Sequence, residues 1–496
     1  MFKNWKVIIS ILVLLFLIIN MTGLAQDKIV IALQGEPTTL DAQFADDGNM
    51  RVVTDNIFDK LLTLDGKTLQ PTPCLALEWE QINDITWEFK LRENVKFHNG
   101  ETFTAEDAVY SIKRIIDPAF KSQIAGNFTT IKDAKIVDPN TIMIITDGPD
   151  PILPKRLTFL DIVNKEYYES GADNIINTEP VGTGPYKIGR WERGRDITIE
   201  LFEDYWGQKP TIQAVTYRFI QENSTRLAAL RAGEIDLAVN MLPEYLDQLP
   251  AYKTANSIEF YFLRFNTLRG IMQNKLIRQA INYAVDREAL AEELFLEFAV
   301  PAKGQLAKEA YFGYSKKVEG YPYDPEKAKA LLREAGYNGE VVQLISERGR
   351  WLKDGEISEA VASMISDVGV NIKLTFLSWQ QWLDTLFNSE KAPDIMFSSN
   401  GNDLFDMDRF YQALIKTGGP QSTYANPEID RKIDMARNEM NPIKRQEIYE
   451  ELALLVHEDP FGVPLINLKS IWGISKNLEW EPREDGRMLI SEMRLK

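Results

Sequence analysis

Val341–Phe376 reads "VVQLISERGRWLKDGEISEAVASMISDVGVNIKLTF", and the order of periods in it decides the fold class. Val341–Ser346 is a short apolar run of strand length. Glu356–Val368 follows with helical spacing and stops at Gly369, and Val370–Leu377 is again strand-like. Extending the reading C-terminally adds a helix over Gln380–Phe387 and a strand over Asp394–Ser399, which makes a βαβαβ lobe. Sheets of this kind bind ligands just beyond the carboxyl ends of their strands. Three loops occupy that position: Glu347–Trp351, Ser378–Trp379 and Asn400–Asp403. They carry Arg348 and Arg350, the indoles of Trp351 and Trp379, a flexible Gly401 beside Asn400, and the carboxylate of Asp403. Such groups suit a polar, extended ligand, although ordinary solvated loops would read the same way.

Outward toward the N-terminus the pattern is first strand-rich. Ile29–Leu33 reads as a buried strand, and Thr86–Leu91 alternates with Trp87, Phe89 and Leu91 on one face. Thr141–Thr146, Ile197–Glu203 and Val215–Ile220 continue the series. The period then changes. Leu276–Leu294 places Ile277, Ile281, Ala284 and Val285 on one face of a single expected helix, and Asp324-Pro325 opens another that closes at Gly336. No internal repeat or long flexible linker separates these regions, so short crossings should join them.

Residues 1–25 begin with Lys3 and Lys6, run apolar from Val7 to Ile19, and end in Gly23-Leu24-Ala25. This pattern predicts a cleavable secretory signal, too short to span a membrane comfortably, and a periplasmic mature protein. Cys74 is the only cysteine. It cannot form an intramolecular disulfide, and no cysteine follows the expected cut to take a lipid anchor. About 470 residues remain, enough for two or three lobes without a covalent staple. The formal charge of −17 becomes −19 without the two signal lysines, which argues against nucleic acid, because that partner is held by excess Lys and Arg.

Lys96–Ile115, "KFHNGETFTAEDAVYSIKRI", holds one of only two histidines, close to Glu101, Glu106 and Asp107. Zinc needs three or four placed ligands, and His98 with Glu101 offers two at most. No G-x-S-x-G elbow is present, Cys74 lacks the local signature of a thiol enzyme, and the second histidine, His457, is far along the chain. A carboxylate pair for acid–base work stays open in so acidic a chain. The structural reading makes Asn99-Gly100 a turn and Thr104 the cap of a helix starting near Ala105. No catalytic residue, metal or cofactor is assigned.

Extended to Val95–Pro118, the same segment resembles a signature of the extracytoplasmic solute-binding proteins of family 5, the oligopeptide and dipeptide receptors of ABC importers. "GEPTTLDAQFADD", "NIFDKLL", "PVGTGPYKIGRWERG", "DYWGQKP", "RLAALRAGEIDLA", "IRQAINYAVDREAL" and "YPYDPEKAKALLREAGY" follow the family's order. The resemblance implies an α/β, periplasmic-binding-protein-like fold of two α/β lobes with a hinge, plus an extra lobe inserted in the first. Lobe I would comprise 26–53, 171–257 and 466–496, lobe II 54–170, and lobe III 258–465. It further implies a monomeric receptor, not an enzyme, that closes on a peptide and presents it to ABC permease membrane subunits. By the same resemblance, Asp403, seven residues before Phe410, would hold a peptide's α-ammonium. The stretch Asp46, Asp47, Gly48 would pair with the peptide backbone like an added strand, and Arg350 or Arg348 would meet a carboxylate. Ser399-Asn400 replaces the family's glycine-tryptophan, so an aromatic wall would have to come from Trp351 or Trp379. Oligosaccharides are the alternative cargo, nickel chelates or haem a more distant one, and a secreted hydrolase the remote alternative of another class.

Overall fold

The computed structural model describes residues 28–45, 47–171 and 173–496; the expected signal and Asp46 lie outside them. A mixed eleven-stranded sheet forms the backbone of the molecule. Its order runs Ile372–Phe376, Val342–Ser346, Ile395–Gly401, Ala251–Phe265, Gly462–Ile474, Leu237–Ala238, Lys28–Leu33, Ala214–Phe219, Asp196–Leu201, Tyr186–Glu192, with Ala299–Pro301 added beside Gly462–Ile474. Two groups of three strands are parallel. Val342–Ser346 lies parallel to both Ile372–Phe376 and Ile395–Gly401, and Lys28–Leu33 parallel to both Ala214–Phe219 and Leu237–Ala238.

Between these groups run two long antiparallel strands, Ala251–Phe265 and Gly462–Ile474. Ala251–Asn256 pairs with Lys469–Ile474, and Phe260–Arg264 pairs with Gly462–Asn467. In between, Ser257, Ile258 and Glu259 oppose Leu468 alone, a bulge that bends and re-aims the chain at the crossing. Lys308 reaches in to donate its ammonium to the Ser257 carbonyl, and burial pushes that lysine down to about 8.

A separate antiparallel sheet of four strands, Ala76–Asn83, Thr86–Leu91, Thr141–Thr146 and Ile131–Asp138, packs against the helix Ala105–Ile116. Trp87, Phe89 and Leu91 are buried on one face as their alternation requires. The helix begins with a capping box in which Thr104 and Asp107 satisfy each other's backbone N–H groups. His98 belongs to this scaffold. Its Nδ1 accepts from the Gly182 N–H at 3.3 Å, its Nε2 bonds the Gly184 carbonyl at 3.0 Å, and its ring meets Phe202 edge-on. Gly182 in turn lies so close to Ile57 that a Cβ there would come within 2.2 Å of the Ile57 oxygen. Three sequence motifs thus form one junction, held by a neutral imidazole that burial lowers to about 4.

Some expectations change. The helix read as continuous over Leu276–Leu294 is two helices, Lys275–Ala284 and Arg287–Phe295. Asp286 turns its carboxylate to the Ala289 N–H and starts the second, an alternative the helical ladder cannot offer that side chain. Asn400 and Gly401 end the strand Ile395–Gly401 and do not form a loop, because they are paired in register with Phe260 and Glu259. Gly401 has no left-handed φ; a Cβ there would press to 3.3 Å on Ile258, so it makes room for the bulge.

Candidate ligand-binding cleft

The parallel strands Val342–Ser346, Ile372–Phe376 and Ile395–Gly401 point their carboxyl ends at a cleft of about 1000 Å³ that straddles the two long strands. Asp47, Gly48, Arg350, Trp351, Trp379, Asn400, Gly401 and Asp403 all line it. Arg348 is not among the lining residues; it pairs with Glu359 and sits over Phe376.

The loop before the helix Asp354–Asp367 is shaped by one carboxylate. Asp354 accepts from the backbone N–H groups of Gly349, Arg350 and Trp351 at 2.8–3.0 Å. This holds Arg350 and Trp351 toward the cleft. Beside Asp354, buried Glu347 is pushed up to about 8, first by loss of water and then by Asp354 itself, so it carries a proton at neutral pH. Trp379, the first residue of the helix Trp379–Leu386, stacks on Trp382 at 5.0 Å, and Trp351 meets both edge-on at 5.7 and 5.1 Å. The Arg350 guanidinium lies over Trp379 at 5.1 Å. One wall of the cleft is therefore three indoles and a cation. Trp382 was legible as its partner, because positions three apart share a helix face.

Asp403 follows the strand Ile395–Gly401 in a loop that is rigid for identifiable reasons. Arg445 grips Asp406 with two bonds of 2.7 and 2.8 Å, both side chains being almost fully buried. Asn402 donates to the Asp406 carbonyl, Arg156 reaches from the four-stranded unit to Asp408 at 3.1 Å, and Lys155 donates to the Phe405 carbonyl. Phe405 is held in the left-handed region at φ 49°. Asp403 itself is paired. Arg409 donates to it at 2.9 Å, and Arg51 of the helix Gly48–Thr54 approaches to 3.6 Å from the opposite side of the cleft. Burial raises its pKa and the two guanidiniums more than reverse that, leaving it below the ordinary carboxylate range.

On the facing side, Asp47 is extended and Gly48 already begins a helix, whose first turn Asp47 caps through the Asn49 N–H at 2.9 Å. Gly48 therefore offers a ligand no strand edge. Two further lining residues were missed in sequence, Glu259 and Lys469, one at the crossing of each long strand. Their signal was a charge interrupting an apolar strand, as Glu259 interrupts Ile258–Leu263. No helix among the described residues is long and apolar enough to cross a membrane, and no cluster of potential metal ligands is found among them.

The family model for bacterial extracellular solute-binding proteins, family 5 (middle), matches residues 70–422. The chain belongs to this family. Its similarity to relatives extends over most of both chains. It is 26% identical over 485 residues to the glutathione-binding protein GsiB of Shigella flexneri serotype 5b (strain 8401), covering 92% of this chain and 91% of that one. It is 26% identical over 441 residues to the dipeptide-binding protein of Escherichia coli (strain K12), covering 81% and 82%. Among solved structures, the periplasmic binding protein DppA from Helicobacter pylori, in complex with the peptide STSA, superposes with a TM-score of 0.79 at 25% identity, covering 94% and 98%. The family is one of solute-binding proteins, and the cleft geometry agrees with the periplasmic-binding-protein fold expected from the sequence.

Proposed function

We propose that this chain is the extracytoplasmic receptor of an ABC importer that captures peptides in the cleft and delivers them to the membrane permease. The observation that carries the reading is the position of the cleft. It lies on the crossing of Ala251–Phe265 and Gly462–Ile474, with a rigid polar loop and an indole wall on one side and the Asp47–Thr54 segment on the other. In this reading the lobes are 26–53, 171–257 and 466–496 (I), 54–170 (II) and 258–465 (III), and the two long strands are the hinge. Hinge closure of this kind is a common device of binding proteins. A cavity of about 1000 Å³ suits a short peptide. Arg350 over Trp379 supplies an anion-binding cation, the indoles supply apolar contact, and Asn400 supplies an amide whose Nδ2 now rests on Gln421 at 3.1 Å. The monomer is the working unit.

Calorimetry with a mixed tripeptide pool and a set of β-linked oligosaccharides tests this, together with mass spectrometry of whatever co-purifies from the native compartment. Heat released by peptides alone supports the reading. Heat from sugars alone replaces the cargo and keeps the receptor, and a turnover product would replace the receptor with an enzyme.

A further inference from the structure

We propose that Lys155 and Arg156, on the inserted lobe 54–170, are positioning residues for the ligand: they clamp the loop 402–410 of the facing lobe, so that this wall of the cleft is set only when the lobes meet. The inference rests on the closing-cleft reading above and gives the inserted lobe a part in ligand capture.

The short helix Leu153–Arg156 ends in two cations, and both cross to the facing lobe. Arg156 forks between carboxylates of the two lobes. Its Nε donates to Asp150 of its own lobe at 2.9 Å and its Nη2 to Asp408 at 3.1 Å, while Nη1 donates to the Asn127 carbonyl at 2.9 Å. Lys155 donates to the carbonyl of Phe405 at 3.1 Å, the residue whose left-handed backbone turns the loop. Lys155, Arg156, Asp150 and Asp408 are all buried.

Charge divides unevenly between the two sides of this junction. The inserted lobe brings Lys155 and Arg156 against Asp150, an excess of one positive charge, and the facing lobe brings Asp406 and Asp408 against Arg445, an excess of one negative. Burying either excess alone is costly, and the two cancel when the halves meet. Lys155 shows the dependence directly: burial lowers its pKa, and the Asp406 charge of the facing lobe opposes that. The clamp stands behind the cleft wall. Asp403, Phe405 and Arg409 of the loop line the cleft, whereas Asp408, Lys155 and Arg156 do not, so these three act on a ligand by fixing the loop.

The test compares wild type, Asp408→Asn, Arg156→Lys and the double variant by calorimetry with a mixed tripeptide pool and by urea unfolding without ligand; small-angle scattering of wild type reads closure. Asp408→Asn leaves Arg156 its partners within its own lobe, and Arg156→Lys keeps the charge without the fork. Thermal melts check folding, and Arg156→Lys carries the comparison if Asp408→Asn does not fold. A contact made only in the closed form passes its loss to the apparent affinity when the ligand-free protein is open. Each single variant should bind about ten- to hundredfold more weakly, the worth of one charge-assisted hydrogen bond. The double variant should be little weaker than either, and ligand-free Asp408→Asn should unfold at the wild-type urea concentration. Unchanged affinity, additive losses, or a ligand-free Asp408→Asn that unfolds earlier overturns the clamp and leaves the receptor reading in place. A wild type that binds peptide without contracting also overturns the clamp alone, and one that binds no peptide overturns the peptide reading with it.

Discussion

Replacing His98 by glutamine tests whether the histidine in the acidic, helix-capping segment is scaffold. Both ring nitrogens are engaged by the backbone of Gly182 and Gly184, and burial lowers the imidazole from its ordinary 6.5 to about 4. A base whose folded pKa is depressed binds fewer protons in the native state between those two values. Its contribution to stability is therefore complete above pH 6.5 and is lost as the pH falls toward 4. From the two pKa values, the loss at pH 4.5 is on the order of 2–3 kcal/mol. Glutamine cannot charge. His98→Gln should cost about 1 kcal/mol at pH 8 for imperfect hydrogen bonds and recover relative to wild type on acidification, so that the two stability curves cross between pH 6.5 and 4. Equilibrium urea unfolding of both proteins from pH 4.5 to 8 reads the difference directly. Other groups, such as Asp59 and Asp161 at about 6 each, cancel in that difference. Ligand affinity at pH 7.5 should stay within about twofold. Parallel stability curves would refute the buried neutral imidazole, and a large loss of affinity would refute the scaffold role.

Four further outcomes follow from the geometry. Asp406→Ala leaves the Arg445 guanidinium buried without its bidentate partner and should destabilise the protein by about 3–5 kcal/mol, measured by urea unfolding; a loss below about 1 kcal/mol would contradict the buried pair. Glu347→Gln should raise the melting temperature above pH 8 and leave it unchanged near pH 4: a raised carboxylate loses stability as the pH rises from its ordinary 4.5 to about 8, and a wild type melting identically to the variant at pH 9 would count against it. Trp379→Ala removes an indole that is 37% exposed on the cleft wall, and calorimetry should show about tenfold weaker peptide binding with melting nearly unchanged. Small-angle scattering should give a smaller radius of gyration with saturating peptide, since ligand must favour the closed form; superimposable curves would remove the hinge.

The amino-acid sequence by itself determined the local elements and the fold class. Alternation at Trp87–Leu91, the Thr104 cap, and the strand–helix series from Val342 to Gly401 depend on side-chain spacing within a few residues, which the chain displays directly. It also marked segments that come to line the cleft, since the carboxyl ends of parallel strands gather wherever such a series folds. Sequence reading failed where partners lie far apart along the chain. Asp403 reads as a free carboxylate until Arg51, which precedes it by hundreds of residues, is brought to 3.6 Å. Asn400 and Gly401 read as a loop until Phe260 and Glu259 pair with them. Glu259 is seen to line the cleft only once the strand that begins at Gly462 runs beside its own. The physical reason is the same in each case. Secondary structure is set by short-range sterics and hydrophobic period, whereas the charge a group presents to a cleft is fixed by whichever neighbours the tertiary fold supplies to neutralise it.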